Sequence, residues 1–335
     1  MRLTQNIILN RAQHKMILKI SSKKTMEASG IIPSVFVTSS PSFNFLISNG
    51  PKISFGSVNL VSRYSKFLPF SMQSESFLTI ALFAVPAAVS LKFIAKARAA
   101  GCKVIDHSTA FTLDESVALL CQAKAVPSTD FLAVASPLSA LLATVFQSVA
   151  AVTPIQSAEA TVLQPVSSKG RQGVRELAGQ TGELLNARGI TPNVFPAQTA
   201  FNVLPLVGEM SGNQLMDELE RVLPSPIPVV LSEAIVPVFY GMTVSLVVHT
   251  ERDIDQDAIQ SALISAGFLI EKDDENHELA TPVGSASNTA GVVMSGLSAL
   301  PAPLNGFRVW LLTDNIRQVV VNLTIKAVEK WIKRL

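Results

Sequence analysis

The side chains that most often transfer protons, ligate metals or attack carbonyls are sparse in this chain. Its 335 residues hold four histidines (His14, His107, His249, His277) and two cysteines (Cys102, Cys121). They show no metal-ligand spacing. Cys102 opens the apolar run CKVID, where a thiol is most simply a small buried hydrophobe. His277 sits in the charged segment EKDDENHE, and His249 ends a β-branched run beside Glu251 and Arg252, so both read as solvated. Two other polar residues stand out: Ser139, just past Pro137 at a predicted helix start, and Gln164 in LQPVSSKG. A serine at a helix start is more often a cap or first-turn residue than a nucleophile, which would need a base beside it. Gly30, Gly50 and Gly56 are isolated, with no strand–glycine–helix context for a phosphate loop.

The elements that would position these residues read as α/β. Residues 77–83 suit a strand, 87–100 a helix ended by Gly101, and 102–106 a second strand, which is a βαβ unit. Residues 131–136 repeat the pattern, with a helix opening after Pro137. Further on, Thr161–Val166 reads as a strand and Ser168–Asn186 as a helix with Val174, Leu177, Ala178, Leu184 and Leu185 on one face. Pro224, Pro226 and Pro228 make 219–231 a loop, and the β-branched stretch 234–250 reads as strand. Asp255–Ala266 is a predicted helix, Ala290–Ala299 and Gly306–Leu312 predicted strands. A closing amphipathic helix carries Val320, Leu323, Ala327, Val328, Trp331, Ile332 and Leu335 on one stripe.

Composition narrows the class. The chain is 48% apolar and 16% charged with a mean hydropathy of +0.37. So apolar a chain must collapse, two cysteines make no disulfide scaffold, and a net charge of +2 makes no case for nucleic acid. The length predicts about two domains. Residues 77–91 and 131–158 are free of charge, but the first is short for a membrane span and broken by Pro86. The second is interrupted by Ser136 and Pro137, and buried parallel strands are apolar runs too. An α/β core without a membrane partner is therefore the expectation.

The charge is unevenly placed. Residues 1–74 hold nine Lys/Arg against one acid, Glu27, and are Ser-rich, whereas the remainder is net acidic. That balance suits either an organelle-targeting segment or a drifted domain half in a cytoplasmic protein. A third reading is that an ordinary nucleotide half has been lost and residues 1–74 are not the native start.

Five ordered stretches, AKARAAGCKVIDHSTAF, QPVSSKGRQGVRELAGQ, AFNVLPL, VPVFYG and TDNIRQ, resemble the aspartate-semialdehyde dehydrogenase family over about residues 76–334. Within that family they are most similar to the Usg branch, which keeps the fold and loses catalytic residues. The resemblance implies a degenerate Rossmann-type nucleotide domain plus an α+β C-terminal domain that dimerises. It divides the chain into a divergent region 1–74, a Rossmann-type half 75–137, a C-terminal domain 138–312, and a terminal segment 313–335 packing back on the nucleotide domain.

The family reaction is an NADP-dependent, phosphorylating oxidation of an aldehyde in amino-acid biosynthesis, run by a cysteine in a Pro-Asn-Cys pattern. Here the pattern is Pro137-Leu138-Ser139, so the resemblance puts Ser139 in the nucleophile position. It puts Met242 in the base position normally held by histidine, and Ile235 in the position of the arginine that anchors the substrate carboxylate. Thr112 stands for a phosphate-binding arginine, and Gln164 is retained. Methionine takes no proton, and isoleucine makes no bidentate pair with a carboxylate. On the cofactor side Ser108 and Asn315 match, but no glycine-rich turn lies in 1–74, and Val319-Val320-Val321 replaces small residues. Phe83-Ala84-Val85-Pro86 likewise departs from an FxAG-like segment. A non-catalytic homologue binding no cofactor, homodimeric through its C-terminal domain, is expected. The alternative is an active NADP-dependent oxidoreductase acting on aspartate semialdehyde.

Overall fold

The computed structural model describes residues 6–10, 15–19, 34–38, 79–121, 126–206, 210–270, 280–284, 291–315, 319 and 321–332. His14 and His277 lie outside the described residues, as does most of 1–74. Two compact units are present: Met1–Ala135 with Leu323–Leu335, and Ser136–Asn322.

The first unit contains an antiparallel pair, β1 (Asn6–Asn10) and β2 (Lys15–Lys19). Its main sheet is parallel and five-stranded, built from β3 (Ser34–Thr38), β4 (Thr79–Phe83), β5 (Lys103–Asp106), β6 (Ala118–Leu120) and β7 (Phe131–Val134) in the order β3-β4-β5-β7-β6. Ile80, Leu82, Val104, Ile105 and Leu132 are fully buried, which explains why these strands read as unbroken apolar runs. Helix α1 (Ala87–Ala99) starts after Pro86 and stops before Gly101, whose φ of +80° lets the chain reverse into β5. The βαβ unit expected from the sequence is therefore present. The end strand β3 comes from the basic N-terminal region, where the sequence shows no pattern strong enough to place a strand.

The second unit is a mixed seven-stranded sheet backed by helices. In chain order its elements are α2 (Pro137–Ala150), β8 (Ile155–Gln164), α3 (Gly170–Leu185), β9 (Leu204–Pro205), α4 (Met210–Val222), β10 (Val229–Ile235), β11 (Met242–Thr250), α5 (Gln256–Ser265), β12 (Leu269–Ile270), β13 (Val293–Ala299) and β14 (Gly306–Thr313). The strand order is β12-β13-β14-β11-β8-β10-β9. The charge-free stretch 131–158 resolves into strand, helix and strand. Helix α2 packs against α4, α5 and β8, and Leu138, Leu141, Leu142, Val145, Phe146 and Val149 are buried. Among the described residues no helix is long and apolar enough to cross a membrane.

Two sequence expectations are corrected here. Residues 219–231 are not one loop: α4 runs to Val222 and β10 begins at Val229, so the prolines occupy only the short link. Leu215, Leu219 and Leu223 recur every four residues and are buried, and this period was overshadowed by the prolines. Residues 234–250 are not one strand either. β10 ends at Ile235, the chain turns through Pro237 and Gly241, and β11 starts at Met242. Gly241 has φ of +95°, and a Cβ there would lie 2.8 Å from Pro282 Cβ.

The last helix, α6 (Asn322–Ile332), falls from Leu323 onward in the first unit. Trp331 is buried and its indole Nε1 donates to the Thr129 carbonyl at 3.0 Å. Leu323, Ala327 and Val328 are buried beside it on the stripe legible in the sequence.

Candidate functional site

Strand period places the site. Along β8, Ala158, Ala160 and Val162 are buried while Glu159 and Thr161 are exposed, so even-numbered residues face the helices. Gln164 ends that inward row. In register with it, Glu233 pairs Val162, Ile235 pairs Gln164, and Val244 pairs Val162 from the antiparallel side. Gln164, Glu233, Ile235 and Met242 therefore share the helix-covered face at one end of the sheet.

That end opens into a cavity of about 240 Å³. Ser136, Gln164, Gln214, Glu233, Met242 and Asn315 line it, together with the apolar Leu138 and Leu215. The Gln164 Nε2 donates to Glu233 Oε1 at 3.0 Å. Glu233 Oε2 and Asn315 Oδ1 are buried with no hydrogen-bond partner among the described residues. Glu218, fully buried behind the cavity, accepts from the Ser136 amide at 2.9 Å through Oε2 and from Gln214 Nε2 at 2.8 Å through Oε1. Among the described lining residues none is Lys, Arg or His.

Ser139 is not a lining residue of this cavity. It is fully buried, its Oγ 2.7 Å from Ser136 Oγ and its amide donating to the same oxygen at 3.2 Å. Ser136 caps helix α2, Pro137 occupies its first turn, and Ser139 completes the cap's hydrogen bonding. The reading of Ser139 as a first-turn residue thus describes its surroundings, and the cap itself is Ser136, a residue the sequence did not single out.

Ile235 is 1% exposed and packs in an apolar cluster with Val166, Leu177, Phe195, Ala200 and Leu204. Helix α3 organises that cluster. Glu176 accepts from the amides of Asn193, Val194 and Phe195, and Gln180 Oε1 accepts from those of Thr199 and Ala200, so the loop 193–200 is held by two side chains one helical turn apart. Gly173 is required in that helix, since a Cβ there would come within 2.2 Å of the Val166 carbonyl oxygen.

In the first unit Ser108 Oγ donates to Asp106 Oδ2 at 2.8 Å and accepts from the Ala110 amide at 3.2 Å. Asp106 also accepts from Ser90 Oγ at 2.7 Å. Burial pushes the Asp106 carboxyl up, and the hydrogen bonds from Ser90 and Ser108 pull it back down. These contacts form a closed turn after β5. Burial also pushes the Cys102 thiol up, away from the reactive thiolate. His107 is held neutral by burial, its pKa lowered to about 4, with Nε2 3.2 Å from Thr324 Oγ1. His249 lies 3.3 Å from Glu159 Oε1 on the outer sheet face, an ion-pair geometry rather than full solvation. Among the described residues no group of three or more His, Cys, Asp or Glu could hold a metal.

The model of the semialdehyde dehydrogenase dimerisation domain matches residues 149–318. The chain belongs to this family. The model of the semialdehyde dehydrogenase NAD-binding domain matches residues 32–156, which takes in β3 and starts well before the motifs that begin near residue 76. A USG-1 protein homolog from Azotobacter vinelandii is 31% identical over 86% of this chain and 87% of its own length. A second, from Pseudomonas aeruginosa, is 32% identical over 71% and 74%. Among solved structures, a probable aspartate-semialdehyde dehydrogenase from P. aeruginosa is 30% identical with a TM-score of 0.68, covering 76% of this chain and 79% of that one. Aspartate semialdehyde dehydrogenase II from Vibrio cholerae has the same fold, with a TM-score of 0.70 at 24% identity and the same coverage.

The fold family implies a nicotinamide dinucleotide, and residues 32–156 match the family's NAD-binding domain. The first strand of the parallel sheet, β3, ends at Thr38, and the sequence that follows is Ser39-Ser40-Pro41-Ser42, with no glycine before Gly50. A pyrophosphate needs glycines there so that backbone amides can approach it. In the second unit, the side chains of Val319 and Val321 are buried just past Asn315. Of the residues the resemblance assigns to catalysis, Gln164 and Met242 line the cavity, together with Asn315 from the cofactor side, while Ser139 and Ile235 are buried outside its lining. Glu233 and Glu218 were missed by sequence reasoning. Glu233 lay between the supposed loop and the supposed strand, and Glu218 was assigned to no element.

Proposed function

We propose that this protein is a semialdehyde dehydrogenase homologue that does not carry out its family's reaction and acts by binding, without a nicotinamide cofactor. The observation that carries this reading is the state of Ser139. Its hydroxyl is sealed from the cavity and engaged with Ser136, and the nearest family position for a base holds Met242, which itself is 1% exposed. A nucleophile needs both access and a proton acceptor. The USG-1 relatives carry a name other than that of the dehydrogenases, which supports the same reading. A homodimer through the matched dimerisation domain belongs to the proposal, with Val230 and Trp310 exposed on strands β10 and β14.

The near-isosteric variant Ser139→Cys tests this reading. A thiol enclosed at that position stays protonated, and no base beside it can activate it. Ser139→Cys is expected to leave NADP reduction, measured with aspartate semialdehyde and phosphate, at the no-enzyme rate. Turnover appearing in the variant would overturn the proposal.

A further inference from the structure

On the outer face of the seven-stranded sheet, register sets the side chains in rows across the strands. One row runs Val230 on β10, Glu159 on β8, Val247 on β11, Arg308 on β14 and Ser298 on β13. The next row carries Trp310 among hydroxyls, beside Ser245 and Thr161. Val230, Glu159, Arg308 and Trp310 are exposed. Outward-facing charge on the described strands comes from Glu159, Arg308 and His249, the last two residues beyond Val247 on the central strand β11. Glu159 and Arg308 thus flank β11 in one row, opposite in sign and about 10 Å apart, two strand spacings. They do not pair within the chain. Arg308 Nε donates to Ser298 Oγ at 3.0 Å, while Glu159 Oε1 lies 3.3 Å from His249 Nε2.

We infer that two copies of this chain meet across this face about a two-fold axis running along β11, pairing Arg308 of each with Glu159 of the other, and that protonation of His249 opens the contact. An axis in that direction lays the β8 side of one sheet over the β14 side of the other and keeps the rows in place, so opposite charges meet twice. A two-fold running across the strands would set Glu159 against Glu159 and Arg308 against Arg308, which is repulsive. The strands of the two sheets are then aligned to within about 30°, a common stacking for sheets. The matched dimerisation domain takes in all of these strands. His249, on the strand beneath the axis, comes against His249 of the second copy. With both imidazoles neutral, each Glu159 is balanced by an arginine. A proton on each imidazole adds two like charges to a contact whose carboxylates are already paired. In a separate chain the same proton sits beside Glu159 with no arginine competing for it. The dimer therefore binds fewer protons than two free chains, and by linkage it weakens as pH falls through the range where histidine titrates. Glu251 and Arg252, which follow β11, are exposed beyond these rows. The inference rests on the homodimer proposed above and assigns its axis, its ion pairs and its regulation.

Sedimentation equilibrium of the full chain, at about pH 7.5 and about pH 5.5, tests this, with circular dichroism to show that each sample is folded. The wild-type dimer is expected to dissociate at least about tenfold more readily at the lower pH. His249→Gln keeps an amide donor for Glu159 and takes no proton. It is expected to stay dimeric, with a dissociation constant that changes less than about threefold over the same range. Arg308→Glu is expected to weaken the dimer at least about tenfold at the higher pH, and adding Glu159→Arg to it is expected to bring the constant back to within about threefold of wild type. Four results would each overturn the inference while leaving a homodimer standing. They are a wild-type constant unchanged or tighter at the lower pH, the same pH dependence in His249→Gln, wild-type dimerisation by folded Arg308→Glu, and a double variant no tighter than Arg308→Glu. A wild-type chain that is monomeric at both pH values would overturn the homodimer along with it.

Discussion

Replacing Ile235 with alanine separates a packing residue from a ligand anchor. Ile235 is 1% exposed, enclosed by Val166, Leu177, Phe195, Ala200 and Leu204. The substitution removes three buried carbons, about 0.8 kcal/mol each, or about 2.4 kcal/mol of transfer free energy. The loop 193–200 is tied to α3 by Glu176 and Gln180, so Phe195 has little freedom to fall into the space. A residual cavity of about 50 Å³ then adds roughly 1 kcal/mol at about 24 cal/mol per Å³. The expected loss is about 3.5 kcal/mol for the second unit. For a unit of that size each kcal/mol lowers Tm by about 2–4 °C, so the expected fall is about 7–14 °C. Urea unfolding followed by tryptophan fluorescence, to which Trp310 on β14 contributes beside Trp331 of the first unit, is the assay, with calorimetry to separate the two units' transitions. A loss below about 1 kcal/mol would refute the assignment of Ile235 to the core.

Two further outcomes follow from the same kind of bookkeeping. His107 has a folded pKa of about 4 against an ordinary value near 6.5, so the unfolded chain binds the proton more readily. Stability of the first unit is therefore full above about pH 6.5 and declines as pH falls toward about 4, by up to about 3 kcal/mol, and His107→Asn should flatten this slope in pH-dependent denaturation. Glu176→Ala removes the carboxylate that accepts the amides of Asn193, Val194 and Phe195. It is expected to cost about 2–3 kcal/mol and to accelerate hydrogen exchange at those three amides while leaving β4 and β5 unaffected.

Much of the fold was legible because its signals were local. Pro86 and Gly101 bracket α1, Pro137 opens α2, and Asp255 caps α5 with its side chain accepting from Asp257 and Ala258. What escaped depended on partners far away in the chain. Helix α4 carries a clean Leu215–Leu219–Leu223 period, but three prolines beyond it drew the segment into a loop. Strand β10 exists because β8 and β9 flank it, and Pro237 and Gly241 mark its end more strongly than the β-branched run that conceals them. The site was legible only through resemblance, which assigned Gln164 and Met242 to catalysis and Asn315 to the cofactor; the fold brings the three to one cavity. It could not locate Glu233, since an acid in a strand acquires meaning only when register sets it beside Gln164. Nor could it show that Ile235, one pleat further along, turns into an apolar cluster. Ser139 illustrates the converse: its chemistry as a cap neighbour was readable from Pro137, and its enclosure depends on the packing of α2.

The central claim is that the family's reaction centre is closed to the family's reaction. A single-turnover experiment addresses it most directly, with the wild-type chain in excess over aspartate semialdehyde and with phosphate and NADP present at millimolar concentration. Formation of reduced cofactor is followed by its fluorescence. No NADPH above the enzyme-free control over hours is the expected result, since Ser139 does not face the cavity and the family's base position holds Met242. Stoichiometric NADPH in the first turnover would contradict the account.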